Sequence, residues 1–405
     1  VAIGVVTMST RTTEPPVADR LEPPRIAVIG AGVAGAACAA GLLRIGLDVT
    51  AFDKSRGVGG RLATRRAQWI DGDGVARFAA FDHGCAELTA NGPRFRAVID
   101  RAVALGGATR WRQQVHARFP AARRRDAVVP TPDMPSFCQN LLNGVPLRLG
   151  HAVTGLQRCA GGWMLHLADE QAEGPFEHVV LAIPAGQAAT LLRGHRDEWA
   201  DALATVRMSP CWTLMALTDE LDWPWDAAQV ERGELAWIAR NDRVPGRDSE
   251  GVVPWVAHAT TAWSLAHLDE DPARVSEILC DALGRLLTGG PPPRWHHAIA
   301  HRWRHARCMQ PTHGDFDHWW STATGIGVCG DAFGDGSVEA AWCSGDGLAS
   351  AVIASLDACR AAGTALEAES DAPRSTDRQR PRASFVPLSN SPTGQTSWVP
   401  LDAYS

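Results

Sequence analysis

No feature of this chain limits its fold as tightly as the run from Arg25 to Asp53. Arg25-Ile26-Ala27-Val28-Ile29 is a short apolar segment of the kind that forms a strand covered on both faces. Gly30-Ala31-Gly32-Val33-Ala34-Gly35 comes next, and an Ala/Leu-rich helical stretch continues to about Ile45, where Gly46 stops it. Asp48-Val49-Thr50-Ala51-Phe52-Asp53 returns as a second strand that ends on an acid. Together these form a βαβ opening of about 30 residues, the setting in which a glycine fingerprint carries weight. Gly30 serves the tight turn, Gly32 the approach of a pyrophosphate, and Gly35 the close packing of helix on strand. The diphosphate would sit at the helix N-terminus, and Asp53 would accept hydrogen bonds from the adenosine ribose hydroxyls.

The segment after this acid points to FAD rather than to a nicotinamide cofactor. In Lys54-Ser55-Arg56-Gly57-Val58-Gly59-Gly60-Arg61, Gly60 offers a second backbone approach and Arg61 a guanidinium to the diphosphate. Lys54 stands at the ribose end. Near the other end of the chain, Gly325-Ile326-Gly327-Val328-Cys329-Gly330-Asp331 reads as a last strand running into a turn, with a helix from about Glu339 to Ala361. In such an arrangement Asp331 bonds the ribityl or diphosphate portion. Helix N–H groups near Val338 then face the pyrimidine side of the flavin and stabilise its anionic reduced form.

Between these ends the pattern is looser. Residues after 77 read as short helices and loops, with Arg123-Arg124-Arg125 as a solvated basic loop. A meander of strands spans 147–183, and residues 205–305 alternate apolar and polar positions in the manner of an antiparallel sheet with one covered face. Residues 1–24 read as a disordered lead-in, with Met8 as a candidate start. The Ser/Pro/Asp/Arg-rich stretch 363–405 reads as a disordered tail.

Composition excludes more than it assigns. A net charge of -6 lacks the basic footprint of a nucleic-acid binder, and no apolar run approaches the ~20 residues that span a bilayer. Ten cysteines without a CxxC pair read as reduced thiols of a cytoplasmic protein. No Cys/His cluster has metal-ligand spacing, so no metal is expected; His296, His297 and His301 read as a polar edge. The Lys and Arg total of 39 contains one lysine, Lys54, and the one tyrosine is Tyr404. No mechanism that needs a core lysine or tyrosine can be built.

RIAVIGAGVAGAACAAGL, KSRGVGGRLATRR, FDHGC, WIARNDRVPGR, WVAHAT, HRWRHA and GVCGDAFGDGSVEAAWCSG together resemble the bacterial renalase-like flavoproteins, relatives of the flavin amine oxidases. The resemblance covers roughly residues 25–362. It implies an α/β fold of p-hydroxybenzoate hydroxylase type: a Rossmann-like FAD-binding domain (25–77, 147–190 and 306–362) carrying an inserted antiparallel-sheet substrate domain (78–146 and 191–305). It implies non-covalent FAD touching Gly30, Gly32, Gly35, Asp53, Lys54, Gly60, Arg61, Val153, Gly330, Asp331 and Val338. The implied reaction is oxidation of 1,2- or 1,6-dihydro isomers of NAD(P)H to NAD(P)+, with molecular oxygen reduced to hydrogen peroxide. GDAFGDGSVEAAW is a loose form of the C-terminal flavin motif, and the tail has no counterpart in the family.

The residue inventory agrees with that implication. Many flavin amine oxidases use a lysine near the flavin, and the monoamine oxidases frame the amine with paired aromatics, usually tyrosines. A dihydropyridine that loses hydride becomes an aromatic pyridinium, so no base has to remove a C–H proton. The protein has to hold the ring at hydride-transfer distance, ~3–3.5 Å. Candidates for substrate contact are Asn241 (within Arg240-Asn241-Asp242), His258 and Trp303, with His83 and Trp342 also near the expected flavin. An Arg-Asn-Asp run is more often a turn with local side-chain hydrogen bonds. Cys343 lies where monoamine oxidases attach FAD, but its surroundings do not match that motif. Three rival readings are an amine oxidase or desaturase, a flavin monooxygenase, and a non-catalytic flavoprotein.

Overall fold

The chain was described by a computed structural model, which covers residues 23–70, 74–116, 124–247, 249, 251–312, 314 and 316–370. It opens with β1 (Arg25–Ile29), α1 (Val33–Arg44) and β2 (Asp48–Asp53), then a hairpin of β3 (Thr64–Ile70) and β4 (Ala76–Asp82). Next come α2 (Pro93–Ala104), β5 (Ala108–His116), β6 (Arg124–Pro130), α3 (Ser136–Leu141) and β7 (Leu147–Leu149). A meander follows: β8 (Val153–Cys159), β9 (Gly162–Leu167) and β10 (Ala172–Phe176), then β11 (His178–Leu181), α4 (Ala185–Leu192) and α5 (Asp197–Ala204). The next strands are β12 (Arg207–Thr218), β13 (Ala227–Gln229), β14 (Leu235–Arg240) and β15 (Val253–Ala259). After them come α6 (Thr261–Ala266), α7 (Pro272–Thr288) and β16 (His297–Gln310). The last elements are β17 (Trp319–Ser321), β18 (Ile326–Val328) and α8 (Val338–Ser370).

Two sheets carry the architecture. The first has the order β17-β18-β11-β1-β2-β7 and is parallel except for β17. Ile26 and Val28 of β1 face the core that α1, α2, α3 and α8 build, whereas Ala27 and Ile29 face β8, β9, α4 and α5. Both faces are dry, which is why β1 reads as an unbroken apolar run. Small residues let α8 cross α1 at close range. A Cβ on Gly345 would stand 2.0 Å from the Ala34 carbonyl oxygen, and one on Gly41 would stand 2.7 Å from the Ala349 Cβ.

The second sheet has the order β16-β12-β15-β14-β13-β5-β6, antiparallel except where β13 meets β5. Trp212, Leu214, Trp255 and Ala257 on one face pack on Val275, Leu279 and Leu283 of α7. Met215 and Val256 on the other face meet Ala79 and Phe81 of the β3–β4 hairpin.

Several expectations are corrected. The stretch after 77 is not only helix and loop, because β5 and β6 extend the second sheet. Arg124 and Arg125 open β6 instead of sitting in a loop; Arg123 lies outside the described residues. The 205–305 stretch holds α7 as well as strands. Helix α8 continues to Ser370, past the expected start of the tail, and residues 1–22 and 371–405 lie outside the described residues.

Candidate active site

The first end of the site is built by the turn between β1 and α1. The Gly30 N–H donates to the Phe52 carbonyl at 2.7 Å, and Gly32 forms a parallel bridge with Gly59. A Cβ on Gly35 would stand 1.8 Å from the Gly30 carbonyl oxygen, so only glycine lets the helix approach the strand this closely. Gly32 caps α1 without a side-chain hydrogen bond, and no acid occupies the first turn. The first N–H groups of the helix are thus open to an anion. Beside them, Gly60 lies close to Gly32, its φ is +57°, and Lys54 is exposed. Asp53 pins this cradle: its carboxylate accepts from Ala31 N–H at 2.8 Å and from Ser55 N–H at 2.7 Å. Each oxygen keeps a lone pair for a ribose hydroxyl. The His151 N–H donates to the Asp53 carbonyl at 3.0 Å, which brings Val153 at the start of β8 to this end. An open helix N-terminus, two glycine approaches and an acid fit the diphosphate and ribose of FAD.

The second end joins residues distant in sequence. Arg61 donates to both carboxylate oxygens of Asp331, at 2.6 and 2.7 Å, and to the Ala306 carbonyl at 3.2 Å. Burial opposes the charge on Arg61, but Asp331 overcomes it and raises the guanidinium's pKa. Arg61 is expected to reach the diphosphate and Asp331 the ribityl or diphosphate portion; in the structure they hold each other. The Gly330 N–H donates to Ser344 Oγ at 2.8 Å, and a Cβ on Gly330 would meet nothing within 4 Å, leaving open space there. Val338 begins α8. The Ala340 N–H donates to Ser337 Oγ at 3.0 Å, and the Glu339 carboxylate accepts from the N–H groups of Asn91 and Gly92.

Next to the second end stands a platform of imidazoles and indole on the second sheet. Thr213 of β12 stands opposite both His258 of β15 and His301 of β16, and Cys211 stands opposite Trp303. Residues directly opposite in antiparallel strands share a face. His83, from the turn after β4, lies over this face. Its ring centroid is 5.2 Å from that of Trp303 in a stacked arrangement and 5.0 Å from that of His301, edge-on. Trp303 Nε1 donates to the His83 carbonyl at 3.0 Å, and the Cys85 N–H donates to the Arg61 carbonyl at 2.9 Å. The platform is thereby tied to the Arg61–Asp331 clamp.

Burial pushes His83 down to about 4, helped by the positive charge of nearby Arg65 and by His301, and burial alone takes His258 to about 4 against a hydrogen bond to the His83 backbone. His297, His301 and His305 are also lowered, burial again leading. These rings are neutral at pH 7.

Asn241 holds the strand end before His83, and its own Nδ2 is buried without a hydrogen bond. It is 2% exposed, and its Oδ1 accepts the Asp82 N–H at 3.1 Å. The Asp82 carboxylate is held by Thr64 Oγ1 at 2.5 Å and Arg247 Nε at 3.0 Å, so the residue before His83 is fixed from three sides. Arg240 is bound by Asp242 at 2.7 Å and Glu220 at 3.0 Å, so this run is the turn with local hydrogen bonds. Trp342 packs on Phe95 in the core and does not line the platform. His296 pairs with Asp219, and among the described residues no group of three or more His, Cys, Asp and Glu is placed to hold a metal. The Cys343 thiol is raised by burial, which makes it a weaker nucleophile. The sequence reading overlooked His301 as a site residue. The signal was the alternation His297-x-Ile299-x-His301-x-Trp303-x-His305, one face of a strand.

Residues 28–102 match the NAD(P)-binding Rossmann-like domain, and residues 122–353 match flavin containing amine oxidoreductase. Among solved structures, the chain is similar to an Exiguobacterium sp. 255-15 protein assigned as a protoporphyrinogen oxidase, with TM-score 0.62, 13% identity and coverage of 82% of this chain and 99% of that one. A putrescine oxidase redesigned in its cofactor binding gives TM-score 0.59, 13% identity, and 82% and 99% coverage. Reduced UDP-galactopyranose mutase gives 0.57, 12%, and 82% and 96%. At these identities the structures speak for the fold; the family match spans more than half of the chain. The chain belongs to the flavin containing amine oxidoreductase family and is an FAD-dependent oxidoreductase.

Proposed function

We propose that this enzyme oxidises dihydronicotinamide isomers, 1,2- or 1,6-dihydro-NAD(P), to NAD(P)+. The reading rests on what lines the platform: neutral imidazoles and an indole within the field of Arg65, with the one lysine exposed at the Asp53 end. A protonated amine would meet repulsion there, whereas a dinucleotide phosphate would be attracted. When bound, FAD supplies a two-electron acceptor that returns its electrons to oxygen. The net reaction turns dihydronicotinamide, oxygen and a proton into NAD(P)+ and hydrogen peroxide.

In this reading Gly30, Gly32, Gly35, Asp53, Lys54, Gly60, Val153, Gly330 and Val338 hold FAD, and Arg61 with Asp331 braces its flavin end. Trp303 and His258 touch the substrate ring, and Asn241 positions His83 through Asp82. The second sheet acts as a substrate domain inserted into the FAD domain, the p-hydroxybenzoate hydroxylase-type arrangement. Family membership favours a second reading, oxidation of an amine.

An oxygen-electrode assay separates the two. Oxygen uptake with the borohydride-reduced NAD(P) isomers, matched by one peroxide per NAD(P)+, is the expected result. Uptake with primary or secondary amines and none with the isomers would sink the proposal.

A further inference from the structure

We propose that His83 and His258 recognise the carboxamide of the substrate's nicotinamide ring through two buried ring nitrogens that make no well-formed hydrogen bond within the protein. The inference rests on the dihydronicotinamide reading and names the groups that select this ring.

His83 Nδ1 and His258 Nε2 are both sealed from solvent and make no well-formed hydrogen bond, although a backbone group lies near each ring, that of Phe81 by His83 and that of His83 by His258. His83 as a whole is 7% exposed. A buried polar atom without a hydrogen bond costs about 1–3 kcal/mol, so two such nitrogens on rings close enough to feel each other point to a ligand that satisfies them. They belong to one surface. His258 shares the platform face with His301 through Thr213, and the His83 ring lies edge-on to His301 and stacked on Trp303.

The protein fixes where these rings stand. The His83 backbone is held at its carbonyl by Trp303 and at its N–H by the Ala63 carbonyl at 3.1 Å. Asn241, Thr64 and Arg247 lock Asp82 just before it. His258 lies between β12 and β14, paired with Thr213 and Trp237.

The chemistry selects the group. A neutral imidazole nitrogen is either a donor or an acceptor, set by its tautomer. A primary carboxamide has N–H donors and a carbonyl acceptor on one planar group, so it can pair with either tautomer at both rings. A ketone offers only an acceptor, and an ammonium only donors. The flat indole of Trp303 beside the two rings suits an aromatic heterocycle carrying that amide.

The test compares NAD+ with 3-acetylpyridine adenine dinucleotide, which has a ketone in place of the amide. Binding to the oxidised holoenzyme is followed by perturbation of the flavin spectrum, using wild type, His83→Phe, His258→Phe and His258→Gln at full flavin occupancy. Wild type should bind NAD+ about tenfold more tightly than the acetyl analogue. Each Phe variant should lose about tenfold for NAD+ and little for the analogue, while His258→Gln, which restores an amide, should recover part of the preference. Unchanged discrimination in both Phe variants overturns the assignment, and leaves water as the partner of the two nitrogens. Wild type that is not reduced by any dihydronicotinamide isomer fails differently: it removes the functional reading and this inference with it.

Discussion

Arg61 and Asp331 lie 270 positions apart, and their two parallel hydrogen bonds tie the segment after β2 to the turn before α8. Asp331 is almost fully buried and Arg61 about one-third exposed on its side chain. Asp331→Asn should therefore cost about 2 kcal/mol, less than a fully buried pair because water screens Arg61. Urea unfolding of the apoprotein checks this without any contribution from flavin. The histidines make a second expectation. His83 and His258 titrate at about 4 in the folded chain, below the value of about 6.5 for an unfolded histidine, so protonation favours unfolding. Their contribution is complete above pH 6.5 and is lost as pH falls towards 4, on the order of 3 kcal/mol for each ring. The urea midpoint should drop across that window, and the drop should be shallower in His258→Phe; parallel profiles would contradict it. At this scale the tight turn at Gly30, the close packing at Gly35 and the acid Asp53 beside that turn were legible, because each is local to one turn. The sequence did not reveal that Arg61 and Asp331 bind each other, or that His301 joins His83, since those contacts come from strand register and chain closure.

Helix α7 shows how an element is missed and how it could have been found. Its stretch was absorbed into an alternating, sheet-like reading of 205–305. Yet Asp271 caps it by accepting from Ala273 N–H at 2.9 Å and Arg274 N–H at 3.3 Å, Pro272 stands in the first turn, and Gly289 ends it with φ +61°. Asp-Pro at the start and Gly at the end were present in the sequence as start and stop signals. Asp271→Ala should cost about 1 kcal/mol, the usual worth of a cap. Leu279→Ala should cost about 2–5 kcal/mol, because Leu279 is fully buried against Trp212 and Trp255 of the second sheet. Thermal unfolding of the holoenzyme measures both, and equal effects from the two substitutions would show that α7 does not support the sheet as described. The β5–β6 hairpin was missed for another reason. It joins its sheet through a single parallel pairing with β13, a contact that no local pattern announces.

For the molecule as a whole, the α/β class, the Rossmann opening and the closing strand-turn-helix were readable from about 30 residues at each end. The meander of β8 to β10 and the antiparallel character of the second sheet were readable as well. Substrate identity was not readable in the same way, because it depends on what the second sheet presents to the flavin rather than on the fingerprint that holds the cofactor. Among the described residues no helix is long and apolar enough to cross a membrane. In the proposed reaction this flavoenzyme takes hydride from a dihydropyridine ring without a base. The most direct measurement is an anaerobic stopped-flow titration of the yellow holoenzyme with 1,2- and 1,6-dihydro-NAD(P), repeated from pH 6.5 to 9. The expected result is stoichiometric bleaching within the mixing time, NAD(P)+ as product, colour restored by air, and a rate that is flat with pH. A flavin that stays oxidised with both isomers yet bleaches with an amine, at a rate that climbs as the amine loses its proton, would contradict it.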